Sequence, residues 1–131
     1  MIETPRAALI AGDLAPLVDF MSFGTNDLTQ MTYGFSRDDV EASVIKKYIE
    51  MDILQKSPFA QLDALGVGKL VQEAINSSRA ANPEIKIGIC GEHGGDPTSI
   101  RFLANSGVNY VSCSPPRIPI ARLVCAQESL K

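Results

Sequence analysis

Ile85-Lys86-Ile87-Gly88-Ile89-Cys90-Gly91-Glu92-His93-Gly94-Gly95-Asp96-Pro97 is the stretch from which the fold follows. Its β-branched residues run into Gly91 and a polar loop, the pattern of a buried strand that stops at a tight turn. The theme recurs on both sides. Phe20-Met21-Ser22-Phe23 is a short apolar run bounded by Gly24, and Val108-Asn109-Tyr110-Val111-Ser112-Cys113 is a third run, ahead of Pro115-Pro116. Between these runs lie helical stretches. Residues 7–20 are partly helical in pattern, and Val67, Leu70, Val71, Ala74, Ile75 and Ser78 repeat at helical spacing on one face. Strands alternating with helices predict an α/β fold of βα units on a parallel sheet, where ligands gather at the carboxyl ends of the strands. The loops after Phe23, Ile89 and Cys113 then share one rim.

The remaining segments are punctuated differently. Residues 36–50 predict a capped helix, with Ser36 at the cap and Asp38 and Asp39 in the first turn, where negative charge suits the helix dipole. Lys56-Ser57-Pro58 and Gly66-Val67-Gly68 are breakers, so 51–66 reads as a short helical insertion. There is no internal repeat and no low-complexity tract.

Composition narrows the function classes. The chain has 131 residues, 45% of them hydrophobic and 21% charged, the balance of one globular unit rather than a disordered tail. A net charge of −3 and a pI near 5.1 offer no basic footprint for nucleic acid. No stretch approaches the roughly 18 to 20 apolar residues of a membrane helix, and Met1-Ile2-Glu3-Thr4-Pro5-Arg6 lacks a signal pattern. Cys90, Cys113 and Cys125 are odd in number and widely spaced, which fits neither a disulfide framework nor a CxxC zinc site. The expectation is a cytoplasmic protein with reduced thiols, with an organelle such as a plastid or glycosome left open.

Two motifs carry chemistry. In Phe23-Gly24-Thr25-Asn26-Asp27-Leu28-Thr29-Gln30 an amide and a carboxylate follow a glycine turn at a strand end. Hard oxygens there suit Mg²⁺, which keeps waters and substrate oxygens in an octahedral shell, and Glu3 is a candidate second carboxylate. The plainer alternatives are a turn or cap role for Asp27 and a solvated Glu3. In Gly88–Pro97 a thiol and two ionisable neighbours sit among four glycines. Glycines permit close approach to a ligand, and a thiol at a strand mouth can act as acid or nucleophile, although a free Cys is also a common small core residue. His93, the only histidine, reads as a hydrogen-bonded loop residue ahead of any role as acid–base group, ligand or phosphoryl acceptor. Cys113 and Cys125 read as core residues.

Taken together, Met1-Ile2-Glu3, Phe23–Gln30, Ser36-Arg37-Asp38-Asp39, Gly88–Pro97 and Ser112-Cys113-Ser114-Pro115 resemble the phosphoenolpyruvate-binding domain of the pyruvate phosphate dikinases. Phosphoenolpyruvate synthases and the first enzyme of the sugar phosphotransferase system share the Asn-Asp and Cys-Gly themes, but Gly91–Pro97 looks most like the dikinase. The resemblance implies a (β/α)8 barrel, of which residues 1–131 cover about the last half, the carboxy-terminal portion. It implies Mg²⁺ on Glu3 and Asp27, substrate against Glu3, Gly24, Thr25, Asn26 and Asp27, and Cys90 as the acid–base group at the methylene carbon of phosphoenolpyruvate. It further implies pyruvate and phosphoenolpyruvate as ligands, a homodimer for the full-length enzyme, and a phosphohistidine domain and an ATP-binding domain that lie outside this chain. His93 does not match the carrier histidine. Thr4, Pro116 and Val124-Cys125 depart mildly from the family pattern.

A whole barrel takes about 250 residues, and Met1 aligns with a methionine inside the family motif, so the expectation is a piece of a longer enzyme, inactive by itself. Two other readings compete: a non-catalytic half-barrel that assembles with a partner, and a carbon–carbon lyase on a similar barrel. The Cys-Gly-Glu-His loop argues against the latter.

Overall fold

In the computed structural model, which describes residues 1–131, the three apolar runs form one parallel sheet. Its strands are β1 (Phe20–Gly24), β2 (Lys86–Cys90) and β3 (Tyr110–Val111), in the order β1-β2-β3. The register sets Gly24 beside Cys90 and Gly88 beside Tyr110. Ile2 adds a single parallel bridge to Phe23 on the free side of β1: its N–H donates to Ser22 O at 2.8 Å, and its carbonyl accepts from Gly24 N–H at 2.9 Å.

Eight α-helices accompany the strands: α1 (Pro5–Leu9), α2 (Ala11–Leu14), α3 (Thr25–Tyr33), α4 (Arg37–Val40), α5 (Lys46–Glu50), α6 (Val67–Ala81), α7 (Pro97–Asn105) and α8 (Ile118–Ser129). The periodic face read from the sequence is the buried one in α6, where Val67, Val71, Ala74, Ile75 and Ser78 are all buried. That face packs on α1 and α2. Asp63 starts the helix: its carboxylate accepts from Leu65 N–H at 3.1 Å and Val67 N–H at 3.4 Å. Burial, with Asp63 beside it, pushes the Tyr33 phenol up to about 12.

Alternation along the strands separates two sheet faces. Met21, Phe23, Ile87 and Ile89 are at most 4% exposed and join the main core with α6. On the opposite face Phe20 is 61% exposed and Tyr110 39%. One face is therefore covered and one is open.

Several expectations are corrected. Residues 36–50 are not one capped helix: α4 and α5 are joined by a π-helical turn at Glu41–Ile45, and the Ser36 side chain makes no cap bond. Gln30 takes that place, its Oε1 accepting from Arg37 N–H at 2.8 Å. Residues 51–66 contain turns and no helix, because Pro58, Gly66 and the positive φ of Asp52 (56°) interrupt any run of α-helical backbone. The third strand is two residues long rather than six. Cys125 is exposed on α8, not in the core, whereas the half-buried Cys113 does pack against Ile100, Ala121 and Val124.

Candidate functional site

Parallel pairing brings the polar loops to the same end of the sheet. At that end β1 passes directly into α3, while β2 turns at Gly91 (φ 117°) into a 3₁₀ turn at Glu92–Gly95. Only glycine takes that φ without strain. A side chain there would also collide, since a Cβ would lie 2.7 Å from Thr25 Oγ1 and 2.9 Å from Asn26 Oδ1.

The predicted residues fall at this rim in a definite order. Glu3 follows the Ile2 bridge and lies against Gly24: a Cβ at position 24 would sit 2.7 Å from Glu3 Oε2 and 3.0 Å from Glu3 Cβ. Gly24 pairs with Cys90, so Glu3, Gly24 and Cys90 occupy neighbouring positions at the strand ends. By alternation all three belong to the open sheet face, as do Phe20 and Tyr110. Cys90 is half-buried and lines an open cleft of about 230 Å³ with Gly91, Glu92, Ser112, Cys113, Ser114 and Arg117. Asp27 is exposed in the first turn of α3, where its Oδ1 accepts from Gln30 Nε2 at 3.0 Å.

Thr25 and Asn26 are placed differently. Thr25 is fully buried, with its hydroxyl 3.1 Å from the Cys90 carbonyl and 2.8 Å from His93 Nδ1. Asn26 Oδ1 accepts from Glu92 N–H at 3.1 Å. Both side chains join the two strand-end loops, the Thr25 hydroxyl turned fully inward and Asn26 engaged through its Oδ1. His93 is fully buried as well, its Nε2 2.8 Å from the Pro58 carbonyl. Burial lowers its pKa below the usual 6.5, as does Arg37, while the Pro58 carbonyl, Asp96 and Glu92 pull the other way.

Sequence reasoning passed over Arg117. Its Nη2 lies 3.3 Å from Glu92 Oε2 and its Nη1 donates to Glu92 O at 3.2 Å, closing one wall of the Cys90 cleft. No local motif marks it, because the pairing spans two loops.

Glu3 and Asp27 suit a hard cation. Neither carboxylate is paired with a Lys or Arg; the ion pairs are Arg37–Glu41, Arg101–Glu128, Arg117–Glu92 and Lys131–Glu128. No three His, Cys, Asp or Glu side chains converge on a closed metal cage. Mg²⁺ is commonly held by one or two carboxylates, with waters and substrate oxygens making up the shell.

A rim of acidic, glycine and thiol groups at the carboxyl ends of parallel strands defines a class, and comparison with known proteins gives it a family. The chain belongs to the PEP-utilising enzymes, matching their PEP-binding domain over residues 1–130. It is 58% identical over 130 residues to "Pyruvate, phosphate dikinase 2" of Oryza sativa subsp. japonica, covering 99% of this chain and 14% of that protein. It is 59% identical over 127 residues to "Pyruvate, phosphate dikinase 1, chloroplastic" of Arabidopsis thaliana, covering 97% and 13%. The corresponding figures for "Pyruvate, phosphate dikinase 2" of Zea mays are 58%, 127 residues, 97% and 14%. The chain thus spans less than a sixth of the length of these relatives. No helix is long and apolar enough to cross a membrane.

Proposed function

We propose that this chain is the metal-anchoring and proton-handling portion of a phosphoenolpyruvate/pyruvate site in a pyruvate, phosphate dikinase. The observation that carries the reading is the row Glu3, Gly24 and Cys90 on the open sheet face, with Asp27 in the first turn of the helix after Gly24. Glu3 and Asp27 are the residues that would hold Mg²⁺. When bound, the ion supplies positive charge where a substrate oxygen becomes negative.

The residues divide the remaining work. Cys90, as thiolate, takes one proton from C3 of pyruvate; that C–H electron pair becomes the C2–C3 double bond, and the C2 oxygen takes up the charge. This enolate oxygen attacks the phosphorus of a phosphohistidine, and the imidazole leaves, giving phosphoenolpyruvate. In reverse, phosphoryl transfer back to histidine frees the enolate, and the Cys90 thiol returns the proton to C3. The backbone of Gly24, Thr25 and Asn26 walls the substrate, and the positive end of α3 favours its anionic groups. His93 is unsuited to carry the phosphoryl group, being buried with both ring nitrogens engaged.

The carrier histidine and the ATP-binding unit belong to other parts of the enzyme, and residues 1–131 form the carboxy-terminal portion of its (β/α)8 barrel. The open face, with Phe20 and Tyr110 on it, supports this, because barrel closure would cover both. The complete enzyme is a homodimer in the cytoplasm or in a plastid; the Arabidopsis relative is named as chloroplastic.

The test is Cys90→Ala in the complete enzyme. Exchange of the pyruvate methyl protons with solvent falls by about 10²-fold or more, while phosphorylation of the carrier by ATP and phosphate continues. Methyl-proton exchange at the wild-type rate would remove Cys90 from the mechanism. For a non-catalytic assembly module, both reactions would be indifferent to Cys90.

A further inference from the structure

The hydroxyl of Thr25 has two acceptors and one proton. Pro58 O can only accept, so His93 Nε2 carries a hydrogen. If the ring is neutral, Nδ1 is then bare and takes the Thr25 proton at 2.8 Å, leaving the Cys90 carbonyl, 3.1 Å from the same oxygen, without it. If the ring is charged, Nδ1–H donates to Thr25 Oγ1 and the hydroxyl proton turns to the Cys90 carbonyl. The hydroxyl and the ring are shut off from bulk water, since Thr25 and His93 are both 0% exposed. A buried polar group cannot exchange a lost partner for solvent, so the choice registers in the backbone.

We propose that His93 and Thr25 are a positioning pair for Cys90: the protonation state of the ring decides whether the Thr25 hydroxyl holds the Cys90 carbonyl, and with it the seat of the thiol at the strand end. The pair also ties this seat to the 51–66 segment, through Pro58. Around the ring, Glu92 comes from its own turn, Asp96 from the start of α7 and Arg37 from α4. Arg37 is stacked over Phe59 and paired with Glu41, and Asp96 is bound to the backbone and hydroxyl of Ser99, so these neighbours are held in place. Burial outweighs the two acids and keeps the ring neutral near pH 7, with the proton that charges it coming from solvent as pH falls below 6.5. The consequence for catalysis rests on Cys90 being the proton carrier; the pair itself does not.

The experiment uses the chain of residues 1–131. Since His93 is the only histidine, ¹⁵N-histidine NMR yields a single imidazole, expected as the Nε2–H tautomer at neutral pH. Alkylation of Cys90 by iodoacetamide, resolved from Cys113 and Cys125 by peptide mass spectrometry, is followed across the same titration. After the ordinary thiolate dependence is divided out, the rate changes by about fivefold, the weight of one hydrogen bond, at the pH where the ring charges. Thr25→Val abolishes that step while His93 still titrates, and Thr25→Ser restores it. A merely structural His93 predicts no such step. An Nδ1–H tautomer at neutral pH, a rate without the step in the wild-type chain, or a step that persists in Thr25→Val overturns the proposal. The wild-type titration decides by itself if Thr25→Val does not fold. Should Cys90→Ala leave methyl-proton exchange intact while the step is present, the site reading falls and the pair stands.

Discussion

The two strand ends that make the rim solve the same problem with different glycines. Gly24, at the end of β1, has an ordinary φ of −85° and is needed for space, because the Glu3 side chain lies where its Cβ would be. Gly91, one residue beyond β2, is needed for both conformation and space, with φ 117° and the Thr25 and Asn26 side chains against it. One glycine makes room for a flexible carboxylate that can move. The other holds a turn from which the Thr25–His93 and Asn26–Glu92 contacts follow, and these neighbours are buried or bonded. The β2 end should therefore be the stiff half of the site and the β1 end the adjustable half.

The sharpest way to break this contrast is to add one methyl group to each end. Gly91→Ala combines left-handed strain with a close contact against a buried hydroxyl, and we expect a loss of about 3 kcal/mol in urea unfolding. Gly24→Ala should cost about 1 kcal/mol, because the nearest atom is the end of the Glu3 side chain. Its larger effect should be on metal: Mn²⁺ binding followed by electron paramagnetic resonance should weaken by roughly tenfold as the carboxylate is displaced. Equal stability losses for the two variants would show that both ends are equally rigid.

A subtler effect should appear with pH. The folded chain keeps His93 neutral where the unfolded chain protonates it, so the stability it contributes is complete above 6.5 and declines as pH falls below it. Urea midpoints between about pH 7.5 and about pH 5.5 should drop for the wild type and flatten for His93→Gln. The smallest effect is expected away from the rim. Ser36→Ala should change stability by only a few tenths of a kcal/mol, because Ser36 makes no cap bond, whereas Gln30→Ala should cost about 1 kcal/mol by leaving the Arg37 N–H without its partner.

What could be read from the residues alone divides along the same line. β1 and β2 are legible because each apolar run stops at a glycine, and the buried face of α6 because its apolar residues repeat at helical spacing over 67–78. Glu3, Asp27 and Cys90 each have a plain structural alternative in the sequence, as solvated, turn and core residues, and it is the order of several motifs along the chain that marks them as site candidates. β3 is shorter than its apolar-looking run suggests, because only Tyr110 and Val111 pair with β2 as ladder residues, while Asn109 and Ser112 add single flanking N–H bonds to Ile87 O and Ile89 O. The turns of 51–66 were hidden because their breakers also fit a helical insertion. The inward engagement of the Thr25 hydroxyl with His93 depends on a contact 68 residues away in sequence that no local pattern encodes. Cys125 looked internal because α8 is apolar nearly all round, so its sequence does not say which side is covered.

One feature of the open sheet face has an optical consequence. A Cβ at Gly88 would fall 1.9 Å from the Tyr110 ring, so that ring lies against the bare backbone of the central strand, two residues below the Cys90 position. The chain has no tryptophan and only three tyrosines, of which Tyr33 and Tyr48 lie outside the sheet. Ultraviolet-excited emission from Tyr110, isolated by replacing the other two with phenylalanine, thus offers a built-in gauge of whatever occupies the space above the strands, free of any attached dye.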